Sequence, residues 1–61
     1  MPFISVEILK GRTLDQRRDF AAAVTQAAVD NLATTSEKVR IRFLEIDPTE
    51  LSRNGRLVCD E

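Results

Sequence analysis

Met1-Pro2-Phe3-Ile4-Ser5-Val6-Glu7-Ile8-Leu9-Lys10-Gly11-Arg12-Thr13-Leu14-Asp15-Gln16 opens the chain, and its reading decides the fold. From Phe3 to Leu9 the residues are rich in β-branched and apolar types. Ile4, Val6 and Ile8 fall on one face at period two, and Phe3, Ser5, Glu7 and Leu9 fall on the other, which predicts a strand. Lys10-Gly11 ends it. Thr13, followed three residues later by Gln16, has the spacing of a capping box and predicts the start of a helix. No Gly or Pro interrupts the segment from Leu14 to about Leu32. Phe20, Val24, Ala27, Ala28 and Leu32 recur there at helical spacing, and Arg17, Arg18, Gln26 and Asp30 lie mostly off that stripe.

Beyond the helix, Ala33-Thr34-Thr35-Ser36 reads as a turn, with Ser36 capping a short helical turn. Val39 to Ile46 reads as a second strand, broken by Asp47-Pro48. Residues 48 to 55 read as loop or one helical turn. Asn54-Gly55 is a strong turn signal ahead of a short terminal strand, Arg56 to Cys59. A helix of this length spans roughly 28 Å and an eight-residue strand about 26 Å. The helix can therefore return the chain so that the second strand lies parallel to the first, a right-handed βαβ unit. The predicted class is α+β, with one domain over residues 1–61 and a short C-terminal hairpin. One helix covers one sheet face; the other calls for a second copy, giving a four-stranded dimer sheet covered by two helices.

Bulk properties narrow the function. A chain of 61 residues buries only about 60% of its unfolded surface, and such chains are supported by disulfides, a metal or association. One cysteine excludes an intrachain disulfide, and one cysteine with no histidine leaves no plausible zinc site. Homo-oligomerisation remains. A net charge of −1 gives no basic surface for nucleic acid. There is no membrane-length apolar run and no signal peptide, so a cytoplasmic location is expected.

Three residues carry the chemistry. A small second residue permits removal of the initiator methionine, which would leave Pro2 as an N-terminal secondary amine. Such an α-amine has an ordinary pKa of about 8, and the ring fixes its direction, so Pro2 suits a general base working near neutral pH. Arg12, just before the N-cap, opposes the helix dipole. With the free N–H groups of the first turn it makes a small anion subsite. The outer face of the second strand carries Arg40, Arg42, Leu44 and Ile46, which fits partial burial at an interface with anionic partners. Glu7 is assigned to Arg42, which leaves Arg40 free. Glu45, Asp47 and Glu50 read as a solvated acidic loop, Phe43 as core, and Cys59 as a packed thiol with no activating partner.

Taken together, Met1-Pro2 before the strand, Leu9-Lys10-Gly11-Arg12-Thr13 with Asp15-Gln16 after it, and Val39-Arg40 opening the second strand resemble the 4-oxalocrotonate tautomerase family. The resemblance covers essentially the whole chain, with Asn54-Gly55 standing where the family has a Gly-Gly hairpin. It implies βαβ units paired into dimers, three dimers forming a homohexamer, and no cofactor or metal. By the same resemblance Pro2 is the catalytic base, Arg12 binds the far carboxylate, and Arg40 engages the 2-keto or enol end of a small carboxylate substrate. Leu51 takes the place of an aromatic pocket wall and, with Phe3, makes the apolar wall. The arginines reach the proline from neighbouring subunits.

The implied reaction is keto–enol isomerisation of an unsaturated 2-keto or 2-hydroxy acid such as 2-hydroxymuconate, a chemistry of aromatic degradation. A proline-dependent decarboxylase, hydratase or dehalogenase is the related alternative. A non-catalytic oligomer that binds small acids is the reading if Met1 is retained, because an amide nitrogen is not basic.

Overall fold

Two parallel strands and the helix between them organise the chain in the computed structural model, which describes residues 1–61. Strand β1 (Phe3–Leu9) pairs with β2 (Arg40–Ile46) in parallel, from Phe3 opposite Arg40 to Leu9 opposite Ile46. The ladder runs one step further at each end: Arg40 N donates to the Pro2 carbonyl at 3.0 Å, and Lys10 N donates to the Ile46 carbonyl at 3.0 Å. Helix α1 (Leu14–Asn31) makes the crossover. Its start is the anticipated capping box, with Gln16 N donating to Thr13 Oγ1 at 3.1 Å and Thr13 N donating to Gln16 Oε1 at 2.9 Å. Two of the four orphan N–H groups of the helix start are thereby satisfied.

The period-two alternation holds along β1: Ile4, Val6 and Ile8 are half-buried and Phe3, Ser5, Glu7 and Leu9 exposed. The helix lies on the side of Ile41 and Phe43, where Phe20 meets Phe43 edge to face with centroids 6.1 Å apart. The covered stripe of α1 is rotated from the one the sequence suggested. Arg17, Ala21, Val24 and Ala28 face inward, whereas Phe20 is only partly covered and Ala27 and Leu32 are exposed. Arg17 is drawn inward because Glu45, next after Phe43 on the same side of β2, forms an ion pair with it.

Several boundaries differ from expectation. Val39 terminates a 3-10 turn at Ser36–Lys38 rather than opening β2, and Thr35, not Ser36, occupies the N-cap of that turn. Residues 48 to 55 hold a second 3-10 turn, Pro48–Glu50, followed by strand β3 (Ser52–Arg53). The antiparallel β4 is Arg56–Leu57 and does not extend to Cys59, because Val58–Asp60 coils into a third 3-10 turn. Arg56 donates to the Asp60 carbonyl and Arg53 pairs with Glu61, which folds the tail back over the hairpin. Between β3 and β4, Asn54 (φ 54°) and Gly55 (φ 79°) take the two positive φ angles of a type I′ turn, for which Asn-Gly is the preferred pair.

Burial is scant. Only Ala28, 5% exposed, and Val39, at 9%, are buried, while Phe3 remains 76% exposed. The radius of gyration is 14.6 Å, against about 10.5 Å for a compact chain of this length. The accessible surface is 4832 Å², against about 4,000 Å² for a folded monomer of this mass. An excess of about 800 Å² matches what one partner buries in a standard interface. No helix is long and apolar enough to cross a membrane.

A chain that buries so little alone should draw its stability from association, and its unfolding midpoint should rise with protein concentration. Thermal scans over a hundredfold concentration range, with sedimentation at each, check this. A constant midpoint together with a folded 6.9 kDa species would contradict it.

Candidate active site

The parallel ladder sorts the candidate residues to two ends of the sheet. At the end where both strands begin, Pro2 is half-buried, with its carbonyl held by Arg40 N. By the alternation of β1, Pro2 shares the helix-facing side with Ile4, Val6 and Ile8. Phe3 and Arg40, opposite one another in the ladder, share the outer face. A cavity of about 410 Å³ lies there, touched by Phe3, Ser5, Arg40 and Arg42. The Arg40 guanidinium turns back along its own chain and donates to the carbonyls of Glu37 and Val39. The expected Glu7–Arg42 pair does not form within the chain: Arg42 stands opposite Ser5, Glu7 stands opposite Leu44, and neither belongs to an ion pair.

At the end where both strands finish, Gly11 (φ 123°) turns the chain in a region that L side chains avoid. Arg12 follows it, exposed and in no ion pair. It borders a cavity of about 290 Å³ with apolar walls from Val6, Ile8, Phe20 and Phe43, and Arg17 borders the same space. Arg17 pairs with Glu45, while its Nε is buried with no hydrogen-bond partner.

Leu51 belongs to this second end as well. It follows the Pro48–Glu50 turn, partly exposed, and its carbonyl accepts from Val58 N at 2.8 Å. Asp47 holds the turn, accepting from Thr49 N at 3.0 Å, from the Thr49 hydroxyl at 2.8 Å and from Lys10 Nζ at 3.3 Å. These donors keep its carboxyl below the usual value of 3.8, the Thr49 backbone N–H contributing most. Through Lys10 and Asp47, the Arg12 loop and the Leu51 turn are tied together.

Pro2 and Arg40 therefore sit at one end, Arg12 and Leu51 at the other. Seven strand residues, roughly 23 Å at the usual rise, separate them. One chain does not bring its own proline to its own Arg12. The acidic cluster anticipated as a solvated loop divides: Glu45 lies in β2 paired with Arg17, and Asp47 is a turn cap. Sequence reasoning placed Arg17 off the covered stripe and Glu45 in solvent, and missed the pair they form. Their signal was present, since Glu45 continues the Val39, Ile41, Phe43 alternation and Arg17 precedes Ala21, Val24 and Ala28 at helical spacing.

Comparison with known proteins converges on one family. The profile described as "Tautomerase enzyme" matches residues 2–60. The chain is 28% identical over 60 residues to the 2-hydroxymuconate tautomerase of Bacillus subtilis, covering 98% of this chain and 97% of that protein. A 4-oxalocrotonate tautomerase isozyme of Methylibium petroleiphilum superposes with a TM-score of 0.92 at 34% identity, covering 97% of this chain and 92% of that one. A subunit of the heterohexameric 4-oxalocrotonate tautomerase of Chloroflexus aurantiacus superposes with a TM-score of 0.91 at 25% identity, covering 98% and 97%.

The Asp47 carboxyl lies below its unfolded value, so its contribution to the turn is present above about pH 4 and is lost as the pH falls through the lower folded-state value. The Thr49 amide resonance should shift with a midpoint below 3.8, and the Leu51 resonances should move with it. A Thr49 titration midpoint at or above 3.8 would exclude this cap.

Proposed function

The chain belongs to the tautomerase enzyme family, and from that premise we propose that residues 1–61 form a single tautomerase domain that isomerises a small unsaturated 2-keto or 2-hydroxy acid, such as 2-hydroxymuconate, with Pro2 as general base. The observation that carries the proposal is Pro2 at the head of β1, on the helix-facing side and anchored by Arg40 N, with an unpaired Arg12 at the far end of the same strand.

A second copy joins these ends. The sheet has two strands, so β1 has a free edge. Phe3–Leu9 carries no cation, whereas β2 would set Arg40 and Arg42 against their like in a partner. Antiparallel pairing across β1 gives the order β2-β1-β1-β2, with both helices on one face. It carries the Pro2 of one copy to the Arg12 and Leu51 end of the other. The Arg40 needed near that proline comes from a further dimer, because the Arg40 of the same chain stands on the outer face. Three dimers, a hexamer, complete six sites, an assembly of the size named for the Chloroflexus relative.

Loss of Met1 converts the Pro2 nitrogen from an amide to a secondary amine. Cations beside it and an apolar wall of Leu51, with Phe3 brought in beside Arg40 by the further dimer, disfavour the protonated form, which keeps the amine free near neutral pH. The amine takes the proton from the 2-hydroxyl, and the electron pair moves into the conjugated chain. The prolinium then returns the proton to a carbon of that chain, leaving the 2-keto acid. Arg40 stabilises the negative charge that grows at the 2-oxygen, and Arg12 holds the far carboxylate.

The rate constant kcat/KM should accordingly rise with pH along one ionisation below the ordinary amine value of about 8. Pro2→Ala, still an amine after methionine removal, should keep some activity with a displaced limb, and a form retaining Met1 should have none. Full activity in a preparation shown by mass to retain Met1 would refute Pro2 as base.

Arg12→Ala should mainly raise KM and Arg40→Ala should mainly lower kcat. Each should fall in the range of about ten- to a hundredfold, because each deletes one charge-assisted contact. Steady-state kinetics with 2-hydroxymuconate read both. Small, equal effects would assign the two arginines to structure instead.

A further inference from the structure

We propose that Arg17 is a second guanidinium at the far-carboxylate end of the site, selecting dicarboxylates, and that Glu45 is the positioning residue that aims it. The inference rests on the proton-transfer reading above and adds two residues to it.

Arg17 sits one helical turn beyond the N-cap and borders the same 290 Å³ cavity as Arg12. That volume lies at the small end of ligand pockets and suits a short-chain acid better than a nucleotide. Four of its walls are apolar, so an anion entering it is desolvated and needs several donors. Arg12 alone offers one guanidinium on a loop. Arg17 comes from the rigid helix and is already ordered by its ion pair with Glu45.

The donor count is what points to a ligand. A guanidinium has five N–H donors, and the only side-chain acceptor that Arg17 engages is Glu45, through Nη2. The Arg17 Nε is buried without any acceptor, an arrangement that costs stability, and Nη2 alone meets a carboxylate in the chain, so the guanidinium at the cavity keeps donors for a carboxylate lodged there. Charge counting agrees. Arg12 and Arg17 place two positive charges at the cavity and Glu45 removes one, leaving a single net charge for one carboxylate to neutralise. Gln16, also at the cavity, has its Oε1 engaged by Thr13 N, while its amide N–H groups have no acceptor in the chain.

Glu45 then has a defined task. It continues the helix-facing side of β2 after Phe43, and its carboxylate meets Arg17 between strand and helix. An unpaired arginine of that length would sample many rotamers. With one oxygen of Glu45 on Nη2, the planar fork is held while the rest of it stays available.

A merely structural Arg17 would tie helix to strand, and its loss would affect every substrate alike. The test compares a dicarboxylate, 2-hydroxymuconate, with a monocarboxylate, phenylenolpyruvate, whose phenyl end carries no charge to meet Arg17. Arg17→Met should raise KM for 2-hydroxymuconate at least tenfold more than it raises KM for phenylenolpyruvate. Arg17→Lys, which keeps the charge and can keep the pair to Glu45, should recover part of that difference. Glu45→Gln should show the same substrate bias in weaker form. A common factor on both substrates, or no factor, in Arg17→Met and Arg17→Lys overturns the inference.

Calorimetric titration with adipate, a saturated dicarboxylate, separates this inference from the catalytic one. Were the wild-type enzyme to turn over neither substrate, the proton-transfer reading would fall. Equal adipate affinity in wild type and Arg17→Lys would overturn the Arg17 assignment whatever the activity. At least a fivefold weakening in Arg17→Lys, at unchanged unfolding midpoint, supports it.

Discussion

The parallel ladder between β1 and β2 is the constraint on which the other features depend. Parallel strands begin at the same end of a sheet, so Pro2 and Arg40 are neighbours by register, and the chain must travel the full length of β1 before it reaches Arg12. The return journey takes an 18-residue helix, which leaves too few residues to cover the second face. A short chain with this topology is left both without a core of its own and with its charged groups distributed to opposite ends. In the proposed assembly an antiparallel partner at the free edge of β1 answers the second shortage, because reversing the strand direction brings the head of one copy to the tail of the other, and the outer sheet face, which that pairing leaves bare, falls to the further dimers.

Electrostatics in this chain position segments more than they stabilise them. Lys10–Asp47, Arg17–Glu45 and Arg53–Glu61 all have partly exposed members, and pairs of that kind contribute about 0–1 kcal/mol. Each nevertheless joins segments that the hydrogen-bonded ladders leave independent: the end of β1 to the turn after β2, the helix start to the end of β2, and the hairpin to the tail. Arg12, Arg40 and Arg42 are left with no carboxylate partner in a chain whose net charge is −1. Negative charge from outside the chain, on a substrate or on another copy, is what these arginines lack.

How far the sequence could be read follows the range of each signal. Strand β1, the capping box at Thr13 and Gln16, and the Asn54-Gly55 turn were legible because each is settled by residues within a few positions. The position of Arg17 was not. Charged residues are ordinarily assigned to solvent, and only its partner on another element turns Arg17 inward. Within the chain the Glu7–Arg42 pair is absent for a different reason: opposite charges on neighbouring strands suggest a pair, but register sets Arg42 beside Ser5. The end of β4 at Leu57 depends on Arg53 and Arg56 reaching forward to the tail, which no local preference announces. Pro2 and Arg12 were legible as candidates because their chemistry is local, a proline that loss of Met1 would turn into an amine and a cation against a helix dipole. The distance between them was not, since it belongs to the ladder.

Assembly and ligand binding are thermodynamically linked in the proposed arrangement. A dicarboxylate held between the proline of one copy and the Arg12 cavity of another contacts both, so it binds the dimer and not the separated chains. Anything that binds only the assembled form shifts association toward it by RT ln(1 + [L]/Kd), and the same free energy appears as tighter ligand binding once the interface has formed. At a ligand concentration one hundred times its Kd the shift is about 2.7 kcal/mol, comparable to the whole stability a core of this size supplies by itself. The weak burial of the single chain and, in that arrangement, the division of its site between copies are thus two consequences of one economy of length. Residues too few to finish a core are also too few to finish a pocket, and in the proposed hexamer the same contacts between copies complete both.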